Sequence, residues 1–315
     1  MTATPITAFD LLAADGVHVT AYKSLPAAPA KAIVQIAHGM AEHAPRYRRL
    51  INALTGAGYA VYAGDHRGHG ASAAAHGLGD FGPGGFQRLA DDMAALSDVA
   101  RRENPGLPLI LLGHSMGSFA AQIYLLDHHD GLKALVLSGT AAVDAMIAAM
   151  AAAGAPPSPN AMNAPFEPAR TDFDWLSRDT AEVDAYIADP LCGFPLTEAA
   201  MASVFATAAP TRHDPRLAAV RGDLPVLVIS GGRDPVTGPD QAFARALIDG
   251  YRAAGLHHIT HTVYPGGRHE MFNETNRDAV VADLIAAVEA AAPRGAAVGA
   301  RYPEMLMAHL DSEAG

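Results

Sequence analysis

The sequence predicts an α/β fold: a mostly parallel, eight-stranded sheet flanked by helices on both faces, with a helical segment inserted between two late strands. Three observations carry this. Short apolar runs alternate with stretches of helical periodicity along most of the 315 residues, which is the pattern of strand–helix–strand units. One apolar run, 107–112, leads through Gly113-His114-Ser115-Met116-Gly117 into an apolar-periodic stretch, 118–126. The alternation then stops near residue 142 and resumes only near 225.

The elements follow in order. Residues 6–12 and 17–22 read as strands joined by Asp15-Gly16, a hairpin turn signal. A short strand is expected over 33–37, a helix over 47–57 ended by Gly56 and Gly58, and a strand over 59–63. Residues 86–103 read as a long helix, with Leu89, Met93, Leu96 and Val99 roughly on one face. After the strand at 107–112 and its helix come strands over 134–138, 225–230 and 259–264, and helices over 241–253 and 274–291. This divides the chain into a core of 1–141 with 223–292, a helical cap over 142–222, and a tail over 293–315. The cap opens with an alanine-rich helix striped by Val143, Met146, Ile147 and Met150, then a loop rich in proline and asparagine over 155–168. The stripe reads either as packing on the core or as an apolar wall for an acyl chain, since methionine re-packs easily. The tail holds one amphipathic piece, 302–310, with no functional reading.

Composition narrows the function. The formal net charge is -11, which disfavours nucleic acid and anionic lipid as partners. A single cysteine, Cys192, excludes an intramolecular disulfide framework. No apolar run approaches the ~18 residues of a membrane span, and the first fifteen residues lack a signal-peptide pattern; a cytoplasmic protein is the expectation. Oligomeric state is left open. Fifteen histidines invite a metal reading. Yet His66 and His69 sit on a turn with Asp65 and Arg67, His128-His129 ends a helix where histidine suits the macrodipole, and no metal or cofactor is expected. Glycine-rich 79–85 lacks the Gly-Lys-Ser/Thr sequel of a phosphate loop.

The G-x-S-x-G turn between a strand and a helix is the nucleophile elbow, which lifts a serine hydroxyl above the sheet edge. The turn is strained and crowded, so glycine at 113 and 117 is steric and Ser115 is chemical. A serine hydroxyl needs a base, and the base an orienting acid. With this elbow the partners follow in the order Ser, Asp or Glu, His, each after a later strand. Gly231-Gly232-Arg233-Asp234 follows the strand at 225–230, and Gly266-Gly267-Arg268-His269 follows the strand at 259–264. Asp234 is therefore the expected acid, with Asp240 its rival, and His269 the expected base. The developing oxyanion needs two donors: the backbone amide of Met116, and one from the loop His38-Gly39-Met40-Ala41-Glu42-His43, where Met40 is the natural choice.

These pieces, together with Arg46-Tyr47 and Asp65-His66-Arg67-Gly68-His69-Gly70, span residues 38–270 in one order and spacing. The chain resembles α/β-hydrolases of the monoacylglycerol lipase and lysophospholipase group. Trp175-Leu176-Ser177-Arg178-Asp179 and Asp189-Pro190-Leu191-Cys192 are similar to the bacterial branch of that group. The resemblance implies the α/β-hydrolase fold, a serine ester hydrolase without a cofactor, and a small-molecule or lipid monoester as substrate. It also implies that Glu42 and Arg46 hold a glycerol head. His114 of the elbow is a further substrate-binding candidate. The alternative for Glu42 and Arg46 is an internal ion pair that braces the loop. Where the group commonly has glycine, this chain has Ala41, which could tighten the alcohol side of the pocket. Cys192 has no base of its own and reads as a packed cap residue.

Other readings of the same fold remain: a general short-chain carboxylesterase, an amidase or peptidase using acidic cap residues Asp172, Asp174 and Asp184, a thioesterase or acyltransferase, or a receptor without catalysis. A dehalogenase or epoxide hydrolase needs aspartate where Ser115 stands.

Overall fold

The computed structural model describes residues 5–154 and 161–291; the expected amphipathic piece over 302–310 and part of the 155–168 loop lie outside them. Eight strands form one sheet: β1 (Thr7–Leu12), β2 (His18–Ser24), β3 (Ile33–Ala37), β4 (Ala60–Gly64), β5 (Leu109–His114), β6 (Leu132–Ser138), β7 (Val226–Gly231) and β8 (Ile259–Tyr264). Their spatial order is β1-β2-β4-β3-β5-β6-β7-β8. β2 runs antiparallel to both β1 and β4; from β4 through β8 the ladder is parallel.

Eight helices complete the described chain: α1 (Arg48–Gly56), α2 (Gln87–Glu103), α3 (Met116–His128), α4 (Val143–Ala153), α5 (Thr180–Ala188), α6 (Glu198–Ala208), α7 (Ala242–Ala253) and α8 (Arg277–Ala291). Leu89 and Met93 of α2, the α3 face and Leu247 of α7 join one core. Leu50 and Leu54 of α1 and Val280 and Leu284 of α8 join the core on the other face. A sheet buried on both faces needs no alternation, and every residue of β3 and β5 is buried. The expected mostly parallel sheet with flanking helices is thus the observed architecture.

Boundaries moved where one residue's chemistry decides them. β5 starts at Leu109 rather than 107 because Pro108 has no N–H to give the ladder; its carbonyl accepts from Ile33 N instead, at 2.8 Å. α8 starts at Arg277 rather than 274 because the buried Glu274 carboxylate is engaged in the preceding loop. It accepts from Arg268 N (2.9 Å) and from Arg178 N (3.0 Å) and Nε (2.9 Å). α3 begins immediately after Ser115, two residues earlier than the periodicity suggested.

Between β6 and β7 lie α4, α5, α6 and short turns, with no strand among the described residues. Parallel β3, β5, β6, β7 and β8 end at one sheet edge. The loops that follow them meet there, and residues 163–193 of the insertion pack onto these loops through the contacts described below.

Candidate active site

The elbow is built by close backbone approach. Ser115 has φ 51° and ψ -121°, a conformation L residues rarely adopt. Its amide is fastened to the β6 carbonyl of Ser138 at 2.9 Å. A Cβ at Gly113 would lie 2.5 Å from the Gly117 carbonyl oxygen, and one at Gly117 would strike the carbonyls of Ala37 and His38. Both glycines are therefore steric necessities.

The structure brings Asp234 and His269 together. Both are almost fully buried, and His269 Nδ1–H donates to both carboxylate oxygens of Asp234 at 3.0 Å. Asp240, by contrast, is exposed in the next turn. Burial pushes the His269 pKa down, but the adjacent Asp234 charge and its hydrogen bond outweigh this, and Glu270 and Glu42 add to them, so the net shift is upward. The other ring nitrogen, Nε2, is buried with no hydrogen-bond partner among the described residues. Trp175 of the insertion packs on the ring at 4.9 Å between centroids, and His114 at 4.7 Å. Burial and the neighbouring His269 hold His114 down to about 3, so it is a neutral ring; its Nδ1 shares a 3.3 Å hydrogen bond with Ser138 Oγ. Gly139, which the sequence reading passed over, leaves room for this ring: a Cβ there would sit 2.7 Å from His269 Cε1.

The loop after β3 is held from below and above. His38 Nδ1–H donates to the Gly39 carbonyl at 2.8 Å, while its Nε2 accepts from His66 N at 2.9 Å, which fixes the tautomer. The Gly39 carbonyl and the Met40 amide belong to one trans peptide unit and point in opposite directions, so anchoring the carbonyl sets where the amide points. From above, the Ala41 carbonyl accepts from Tyr186 Oη (2.9 Å) and Gly193 N (3.0 Å), both on the insertion. Ala41 itself has φ 53°, in the left-handed region where a glycine would be at ease. His66 and His69 are buried behind this loop as neutral rings, pushed down to about 3 and about 4 chiefly by burial.

Glu42 and Arg46 meet each other. Glu42 is 3 % exposed. Its Oε1 accepts from Gly39 N at 2.5 Å and from Tyr47 Oη at 2.8 Å, and its Oε2 pairs with Arg46 Nη1 at 2.5 Å. Arg46 also forks onto Glu270 with two 2.8 Å bonds and stacks 4.8 Å over Tyr186. Burial, reinforced by the Glu270 charge, pushes Glu42 upward despite Arg46; the Arg46 fork holds Glu270 down against its own burial. Of the two sequence readings, this geometry favours the brace, because the groups that would bind a glycerol head are already satisfied by one another. Glu270 was visible in the matched stretch without a role, and Tyr47 likewise; only their three-dimensional convergence reveals the network. Cys192 lies half-buried in the same neighbourhood, its thiol pushed up to about 12 mainly by burial, so it is no free nucleophile.

Residues 28–276 match the family model described as serine aminopeptidase, S33. The chain is 34 % identical to a monoacylglycerol lipase of Mycolicibacterium smegmatis, over 81 % of this chain and 86 % of the relative. It is 28 % identical to the monoglyceride lipase of Homo sapiens, over 84 % and 88 % of the two chains. Among solved structures, a thermostable carboxyl esterase from Bacillus coagulans, crystallised with glycerol, superposes with a TM-score of 0.80 at 28 % identity, covering 91 % of this chain and 99 % of the other.

Proposed function

Since the chain belongs to the serine aminopeptidase S33 family of α/β-hydrolases and is a lipase- or esterase-type serine hydrolase, we propose that it hydrolyses lipid-like monoesters such as monoacylglycerols, with Ser115, His269 and Asp234 as its triad. Ser115 Oγ attacks the ester carbonyl. His269 Nε2 takes the hydroxyl proton and passes it to the leaving alcohol, while Asp234 keeps Nδ1 protonated and stabilises the imidazolium. The backbone amides of Met40 and Met116 receive the oxyanion; the second opens α3, so the helix terminus adds its own positive end. Water, activated by the same histidine, then releases the acid from the acyl-enzyme. None of these steps calls on a cofactor.

The observation that carries this reading is the buried His269 ring: one nitrogen held by both Asp234 oxygens, the other unpartnered. The lipid-like class is supported by the named relatives and by α4. That helix leaves Ile147 and Met150 exposed, and residues 145–166 contain no charged side chain. The Val143 stripe thus splits, with Val143 buried, Met146 partly buried against the core, and Ile147 and Met150 facing out. We take 142–222 as the cap over the site on the same grounds.

A fluorophosphonate is expected to label Ser115 and nothing else, and a monoacylglycerol to be cleaved faster than the matching thioester or peptide amide. Undiminished labelling of Ser115→Ala would remove the nucleophile. A preference for the amide would move the function to the peptidase alternative while leaving the triad in place.

A further inference from the structure

Among the described residues, one group of metal-ligating side chains outside the triad converges: His43, Asp189 and Cys192, whose ligand atoms all lie within 4.8 Å of one another. We propose that these three residues form a binding site for a borderline-soft divalent cation, Zn²⁺ by class, that fastens the insertion to the loop after β3. Neither the family resemblance nor the hydrolytic chemistry calls for a metal here.

The donor set comes first. One imidazole nitrogen, one carboxylate oxygen and one sulfur suit Zn²⁺, whereas Ca²⁺ and Mg²⁺ take oxygen alone. The spacing comes next. Asp189 and Cys192 are three apart on one tight turn, closed by Cys192 N donating to the Asp189 carbonyl at 3.0 Å. Two ligands at that separation on a turn form a short chelating arm, as in structural zinc sites. The Asp189 carboxylate is already aimed: Oδ1 accepts from Leu191 N at 2.9 Å, and Oδ2 accepts from His43 Nε2 at 2.8 Å. Only the sulfur has to join an existing pair.

Position and charge agree with this. His43 is buried on the core side, while Asp189 and Cys192 are half-buried on the insertion side, leaving an outward approach for the ion and a solvent ligand. The charged groups that act on Cys192 are Arg46, Asp189, Glu42 and Glu270. Arg46 acts most strongly and is already paired with Glu42 and Glu270, which leaves the Asp189 carboxylate as the anionic ligand of the site. The ion would replace a hydrogen bond that now joins two segments. One segment carries Met40, three residues before His43; the other carries Gly193, next to Cys192, whose amide holds the Ala41 carbonyl. A bound ion would therefore lock the insertion onto the oxyanion loop, raising thermal stability and slowing turnover wherever substrate entry or product exit needs that segment to move.

Co²⁺ is the probe, because it replaces Zn²⁺ and shows a thiolate charge-transfer band in the near ultraviolet. Wild type is expected to bind one Co²⁺ with that band, to lose the band on Zn²⁺ addition, and to show Zn²⁺ inhibition that a chelator reverses. Cys192→Ala is expected to keep its metal-free activity, lack the band, and bind Zn²⁺ at least about tenfold more weakly, the smaller loss seen even when a supporting partner of a metal ligand is removed. Co²⁺ bound by wild type without a thiolate band overturns the site. So does equal Zn²⁺ inhibition of wild type and Cys192→Ala, which would assign the effect to other histidines, including His269.

Discussion

Replacing Glu42 by alanine separates a loop brace from a head-group ligand. The carboxylate holds the Gly39 amide, the Tyr47 hydroxyl and one Arg46 nitrogen. Hydrogen bonds to a charged group contribute about 1.5–3 kcal/mol each. Arg46 keeps its fork to Glu270, so the full sum does not apply; removing one partner of a buried ion pair costs about 3–5 kcal/mol. At that size the melting temperature falls on the order of 10 °C for a domain this large. The kinetic effect runs through Gly39. Its freed amide loosens the peptide that carries the Met40 donor, and losing one oxyanion donor lowers kcat by about 10²–10³-fold. That loss is blind to the alcohol. Measured as kcat/KM, the ratio between a monoacylglycerol and the ethyl ester of the same acid is expected to be unchanged in Glu42→Ala, and Glu42→Gln, which keeps an acceptor for Gly39, is expected to recover much of the activity on both. The reasoning fails if the monoacylglycerol loses about tenfold more than the ethyl ester, or ~1.4 kcal/mol. In that case the Glu42 carboxylate contacts the glycerol hydroxyls after all.

Two further outcomes follow from the site. His269 must be neutral to act as base, and Asp234 raises its pKa; the acid limb of the kcat/KM profile is therefore expected at a pH above the ~6.5 of an ordinary histidine, and a limb below that value would contradict the assigned pair. At Ser115, with φ 51°, glycine is expected to be more stabilising than alanine by about 1 kcal/mol, the backbone strain of about 1–3 kcal/mol less glycine's entropic cost of about 0.5–1. Both variants lack the hydroxyl, so comparing the melting points of Ser115→Gly and Ser115→Ala isolates the strain, and an equal or lower value for glycine refutes it.

Much of this site was legible because each piece is punctuated locally. Gly113 and Gly117 announce the elbow, and Asp234 and His269 each follow a strand and a glycine pair, so order along the chain stood in for distance. What was not legible depends on contacts between segments far apart in sequence. Glu270 and Arg46 are 224 residues apart, and nothing in either stretch names the other. Glu274 stood as the first residue of the expected helix over 274–291; only the fold shows its carboxylate engaged by Arg178 and Arg268. Nothing local marks Gly139, yet a Cβ there would meet His269; Gly231, legible only as part of a glycine pair, would with a Cβ meet the carbonyls of Gly267 and Arg268.

Ala41 shows how these contacts combine. A non-glycine residue in the left-handed region costs about 1–2 kcal/mol, and such strain persists where the surroundings over-determine it. Here they do so from both sides: Glu42 and His38 fix Gly39 from the core, while Tyr186 and Gly193 fix the Ala41 carbonyl from the insertion. The loop proposed to offer the Met40 amide is thus a joint between core and insertion. A shift of residues 186–193 would release the carbonyl beside that amide and remove the restraint that keeps Ala41 strained. By this argument the alanine sharpens the dependence of the oxyanion loop on a seated insertion, where glycine would hold the same turn unaided. An alanine rather than a glycine at this position therefore bears on how tightly the loop after β3 is tied to residues 186–193, more than on the width of the alcohol pocket.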